Sequence, residues 1–123
     1  MRPSILVIDD DPFTREALAA ILMRAGYRVT SLSGAGLNGE TDPCAHPYQV
    51  AVVDFHLPAV NGLELARRLK ASRPESRIIM ISSELPPLED NAGLSVVDHF
   101  LAKPFSKEVI LEAVARFCPP QAP

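Results

Sequence analysis

Asp9, Asp10, Asp54, Ser82 and Lys103 each stand at, or just beyond, the end of a short run of Ile, Leu, Val, Met or Phe. Carboxylates are hard oxygen ligands, and crowding several together creates a repulsion that a divalent cation relieves. A carboxylate can also attack as a nucleophile and form an acyl phosphate, while an ammonium and a hydroxyl can pair with phosphoryl oxygens. Gathered in one place, these side chains could hold a metal ion and handle a phosphoryl group. Whether they meet depends on the elements that carry them.

The apolar runs have the form of buried parallel strands, which are hydrophobic almost throughout. Ser4–Ile8 reads as the first and Tyr27–Ser33 as the second. Gln49–Val53 is the third and delivers Asp54, Ile78–Ile81 is the fourth, and His99–Ala102 the fifth. In open α/β sheets ligands bind beyond the carboxyl ends of the strands, so side-by-side packing would bring the five residues to one edge.

Helical patterns fall between the runs. Asp11-Pro12 reads as an N-cap followed by proline at the first helical position. Ala17, Leu18, Ile21, Leu22 and Ala25 then recur at helical spacing, and Gly26 stands where a C-terminal cap is wanted. Gly62–Ser72 carries Leu63, Leu65, Ala66 and Leu69 inward and Arg67, Arg68 and Lys70 outward, and Arg73-Pro74 ends it. Ser106 caps a last helix whose apolar face is Val109, Ile110, Ala113, Val114 and Phe117. The alternation predicts an α/β fold, a five-stranded parallel sheet with helices on both faces.

Two stretches break this pattern. Residues 34–47 hold Gly34, Gly36, Gly39, Pro43 and Pro47, and residues 84–97 hold Pro86-Pro87 and Gly93. Both lie where the alternation wants a helix, so the second and fourth helices are expected to be short, distorted or mobile.

The bulk numbers agree with a single globular domain. The chain has 123 residues, 47% of them hydrophobic, which suffices for a real core. A net charge of −3 leaves no electrostatic footprint for nucleic acid. Cys44 and Cys118 fit neither a metal spacing nor a disulfide framework, and Cys44 with His46 is two ligands without partners. A reducing, cytoplasmic setting is the expectation. The apolar run ending at Ile8 is too short for a signal peptide or membrane span. The domain is expected to cover 1–118, with a proline-rich tail over 119–123.

Four segments in order carry a family likeness: Ile5-Leu6-Val7-Ile8-Asp9-Asp10-Asp11-Pro12; Val53-Asp54 with Leu57-Pro58 and Gly62; Ile81-Ser82-Ser83; and Phe100-Leu101-Ala102-Lys103-Pro104-Phe105. Together they resemble the receiver domain of bacterial two-component response regulators, over essentially the whole chain. The resemblance implies a flavodoxin-like, doubly wound sheet of order 2-1-3-4-5. It implies that Asp54 is the phospho-acceptor and that Asp9, Asp10, Asp54 and the backbone carbonyl of His56 hold Mg²⁺. Asp10 would be the more direct ligand of the acidic pair, whereas Asp11 is better explained as the helix cap. Lys103 and Ser82 would pair with the phosphoryl group, and Lys103-Pro104 would be cis. Ser82 and Phe100 would form the conformational switch, and His56 and Glu84 would tune the phosphate lifetime.

The implied function is a phospho-acceptor switch, not an enzyme acting on outside substrates. Its partners would be a sensor histidine kinase or histidine phosphotransfer protein upstream and a protein target or a regulator's output domain downstream. A second copy of the chain would join it on phosphorylation, and neither nucleic acid nor membrane would be bound directly. Two other functions compete. One is a phosphorylation-independent interaction module on the same fold. The other is an aspartyl-nucleophile phosphatase, suggested by the D-x-D pattern of Asp9–Asp11; Phe13 stands where such enzymes want Thr or Val, and 123 residues leave no room for a substrate cap.

Overall fold

A computed structural model describes residues 3–34, 42–57, 61–83 and 96–120. Five strands, β1 (Ser4–Ile8), β2 (Arg28–Leu32), β3 (Val50–Asp54), β4 (Arg77–Ser82) and β5 (His99–Ala102), form one sheet in the order β2-β1-β3-β4-β5. Every pairing is parallel. The doubly wound order implied by the resemblance is therefore present. Asp54 and Ser82 are the last residues of β3 and β4, because their backbones still pair with Ile81 and Ala102.

The three central strands are buried on both sides, so their side chains alternate between two cores. Ile5, Val7, Val52, Ile79 and Ile81 face the core shared with α1 (Pro12–Arg24) and α3 (Lys107–Phe117). Leu6, Ile8, Ala51, Val53 and Met80 face the core shared with α2 (Gly62–Ser72). Each large side chain so buried contributes about 1.5–3 kcal/mol. That burial holds the carboxyl ends of β1, β3 and β4 in register.

The ends of α1 follow from local chemistry. The Asp11 carboxylate accepts hydrogen bonds from the Phe13 N–H and the Thr14 hydroxyl. At the other end Gly26 takes φ 104°, letting its N–H reach the Met23 carbonyl and that of Tyr27 the Leu22 carbonyl. These two bonds form a Schellman motif, and glycine adopts its left-handed turn without penalty.

Two apolar stripes are narrower than their periodicity suggests. Only Leu18 and Leu22 are fully buried on α1, and Ala17 is exposed beside a groove. Val109 on α3 is 42% exposed. It lies beside His99 of β5, where among the described residues no further strand covers it. Of the glycine- and proline-rich stretch 34–47, the described part holds a single 3-10 turn, Pro43–Ala45, capped by Asp42. Residues 84–95, where the fourth helix was expected, lie outside the described residues. Among the described residues, no helix is long and apolar enough to cross a membrane.

Candidate functional site

The strand ends gather the predicted residues. Asp9 is the first residue beyond β1, and its N–H donates to the Leu32 carbonyl of β2 at 3.1 Å. Asp54 closes β3, and Ser82 closes β4 with its side chain buried. The Lys103 N–H donates to the Ser82 carbonyl at 2.8 Å, which brings the residue after β5 to the same edge. The Lys103-Pro104 peptide is cis, as the resemblance implied.

Asp9, Asp10 and Asp54 each offer a carboxylate oxygen, and these atoms all lie within 4.8 Å of one another. Asp9 is completely buried and Asp54 nearly so, while Asp10 is exposed. Lys103 Nζ sits 3.2 Å from Asp9 Oδ2 and 3.4 Å from Asp54 Oδ2. The His56 N–H donates to Asp54 Oδ1 at 3.2 Å.

Burial pushes the Asp54 carboxyl up to about 6, with the Asp9 charge adding to the rise and the His56 N–H and Lys103 working against it. For Lys103 burial opposes the charge, but the carboxylates of Asp54 and Asp9 outweigh it and hold the ammonium above its ordinary range. The site therefore carries more negative charge than one lysine compensates.

One atom shows where a further cation fits. Asp9 Oδ2 is buried and accepts no hydrogen bond, although Lys103 lies close enough for an ion pair. A buried anionic oxygen without a directed donor is costly. Three clustered carboxylates, one of them open to solvent, suit a hard divalent ion that keeps several waters.

Asp11 stands apart from this set. Its carboxylate caps α1, so the D-x-D of the phosphatase alternative does not deliver its second acid to the cluster. Phe100 is half-buried on the α2 side of the sheet, packed against the core that includes Met80, its partner in the register. Glu84 lies outside the described residues. Cys44 and His46 join no metal cluster among the described residues, and Cys44 Sγ instead lies 3.8 Å from the Arg68 carbonyl.

Three features escaped the sequence reading. Arg15 Nη1 donates to the Asp9 carbonyl at 2.9 Å, but a charged helical residue ordinarily signals a solvated face. A groove of about 500 Å³ runs beside Lys103, bordered by Phe13, Ala17, Ile21, Pro104 and Phe105, with Phe13 82% exposed. On the far side of the sheet Asp98 joins Lys70 and Arg77, residues 28 and 21 positions away.

Compared with known families, the chain matches the response regulator receiver domain over residues 5–115. It is 34% identical over 91% of its length to the C4-dicarboxylate transport transcriptional regulatory protein DctD of Pseudomonas aeruginosa, of which it spans 24%. It is 27% identical to sporulation initiation phosphotransferase F of Bacillus subtilis, covering 97% of this chain and 96% of that protein. A response regulator structure from Burkholderia pseudomallei, with a phosphorylated aspartic acid, a calcium ion and citrate, superposes at a TM-score of 0.73. That protein is 30% identical, and the match covers 90% of this chain and 65% of that one. The chain belongs to the response regulator receiver domain family. It is a phospho-acceptor signalling module of the two-component type.

Proposed function

We propose that this receiver domain takes a phosphoryl group onto Asp54 from the phosphohistidine of a sensor kinase or a histidine phosphotransfer protein. An Asp54 oxygen forms the new O–P bond while the P–N bond of the donor breaks and its electron pair leaves on the imidazole. Asp9, Asp10, Asp54 and the His56 carbonyl would hold Mg²⁺. When bound, the ion neutralises developing charge on the phosphoryl oxygens. Lys103 supplies a point charge, and the Ser82 hydroxyl a hydrogen bond, to the same oxygens.

The observation that carries this reading is the lysine shared between two buried carboxylates, one of which keeps an unsatisfied oxygen. The phosphorylated aspartate and calcium ion in the related Burkholderia protein support it. Movement of Ser82 toward the phosphoryl group would leave room for Phe100 to turn inward, biasing the surface around β5. His56 and Glu84 set the lifetime of the acyl phosphate. The domain is 1–118, followed by a tail, and works in the cytoplasm with a protein target, an output domain or a second copy of itself as its reader. Autodephosphorylation, rather than turnover of an outside ester, ends the signal.

Intact-mass spectrometry after incubation with a small phosphodonor tests the reading. One phosphoryl adduct that requires both Mg²⁺ and Asp54, and is absent in Asp54→Ala, is the expected result. A folded protein that takes up Mg²⁺ but gains no adduct would overturn it in favour of a phosphorylation-independent module.

A further inference from the structure

The chain leaves the sheet at Asp9. The Asp9 N–H still bonds to β2, and its Oδ1 accepts the Asp11 N–H at 2.9 Å. The carbonyl of Asp9 belongs to the same planar peptide as the nitrogen of Asp10, so orienting that oxygen orients the start of Asp10. Arg15 holds it. From the first turn of α1 its guanidinium reaches back six residues to donate at 2.9 Å, while its own N–H bonds to the Asp11 carbonyl at 2.9 Å. The segment from Asp9 to Asp11 is thus closed into a ring of hydrogen bonds.

Asp10 needs such support more than its neighbours do. Asp9 and Asp54 are packed in place, but Asp10 is exposed, and among the described residues its carboxylate makes no hydrogen bond of its own. Its presence within 4.8 Å of the other two ligand atoms therefore depends on the backbone beneath it.

We propose that Arg15 is a positioning residue for the acidic pair, fixing the Asp9–Asp10 peptide so that the exposed Asp10 carboxylate meets the buried carboxylates of Asp9 and Asp54 at a divalent cation. This rests on the metal-dependent reading above and adds a residue that touches neither the ion nor the phosphoryl group. Coulomb's law alone makes the opposite prediction. Arg15 is a cation close to an acidic site, so deleting it should tighten cation binding if charge were its whole effect. Positioning and charge thus differ in sign.

The test is calorimetric titration of the full chain with MgCl₂, alongside thermal unfolding, for wild type, Arg15→Met and Arg15→Lys. Met keeps the apolar stem and removes the donor, so it should weaken Mg²⁺ binding about tenfold, the low end for loss of an outer-shell partner. Its melting temperature should stay near that of wild type. Lys, which can still donate to the Asp9 carbonyl, should recover most of the affinity. Arg15→Gln, too short to reach, should repeat the loss and stands in for the Met variant if that one fails to fold. Equal or tighter binding by the donor-less variants, or a Lys variant as weak as they are, overturns the role of Arg15 alone. A wild type that takes up no Mg²⁺ overturns the reading beneath it as well.

Discussion

Gly62 lies so close beneath the end of β3 that a β-carbon at that position would stand 2.6 Å from the Asp54 carbonyl oxygen. It would also come within 2.7 Å of the Phe55 carbonyl oxygen and 2.8 Å of the Phe55 α-carbon. All three are backbone atoms that cannot rotate away. The first turn of α2 therefore supports the proposed phospho-acceptor directly, and Asn61 secures that turn by accepting from the Leu63 N–H at 2.8 Å. Gly62→Ala should push α2 and β3 apart, costing about 2 kcal/mol by overpacking. It should also slow phosphorylation of Asp54. The chain has no tryptophan, so urea unfolding followed by circular dichroism is the measurement. A wild-type midpoint would show that α2 shifts at no cost.

Lys103 would compete with a bound metal for the same buried oxygen. Its ammonium lies 3.2 Å from Asp9 Oδ2 in an ion pair that a bound cation would have to share. Lys103→Met should therefore tighten Mg²⁺ binding, on the order of tenfold or about 1.4 kcal/mol. It should at the same time slow phosphorylation by a small donor, since a charge facing the phosphoryl group is lost. Calorimetry and the adduct rate measured together check this. Both quantities moving in the same direction would contradict the shared-oxygen picture.

The raised Asp54 carboxyl has two consequences with pH. A protonated carboxyl is a poor nucleophile, so at low Mg²⁺ the phosphorylation rate should fall as pH drops through about 6. The stability effect has the opposite sense. Because the folded state holds this proton more tightly than the unfolded chain, the contribution of Asp54 favours folding at acid pH and is lost as pH rises from about 4 through about 6. Mg²⁺, by neutralising the site, should raise the melting temperature more at pH 8 than at pH 5. Asp54→Asn should melt above wild type at pH 8 without Mg²⁺. Equal Mg²⁺ effects at both pH values would show that Asp54 is already ionised at pH 5.

The residues proposed to carry the chemistry were readable because of where they stand. A strand buried on both faces is an unbroken apolar run, so the polar residue that ends it is conspicuous, and Asp9, Asp54 and Ser82 all met at the predicted edge. Periodicity was less informative about how far the sheet extends. Val109 repeats with Ala113 and Phe117 along α3, yet it overhangs β5 and remains exposed. Arg15 was invisible for a different reason: its partner is a backbone oxygen, which leaves no mark in the sequence. The groove beside Phe13 likewise depends on how α1 meets the loop after β5, a packing detail without a local signal.

Asp98 shows the same limit on the opposite side of the sheet, and it yields a separate prediction. Its carboxylate accepts from the Ile78 N–H at 2.8 Å, from Lys70 at 2.9 Å and from Arg77 at 3.2 Å, joining the starts of β4 and β5 to the end of α2. Burial alone would raise its carboxyl, but the Ile78 N–H and the two cations outweigh burial and hold it below the ordinary range. A depressed folded-state value means that Asp98 stabilises the fold above its unfolded value near 4 and loses that contribution as pH falls through the lower folded value. Asp98→Ala leaves the Ile78 N–H without its acceptor and Lys70 with the Ser76 carbonyl alone, and should cost about 1–3 kcal/mol at neutral pH. Asp98→Asn keeps an acceptor for Ile78 and should cost less. The gap between wild type and Asp98→Asn should narrow when urea unfolding is repeated near pH 3, because protonation then deprives the wild type of the same charge. A gap that stays constant with pH would show that Asp98 acts through its shape and hydrogen bonds, with its charge contributing nothing.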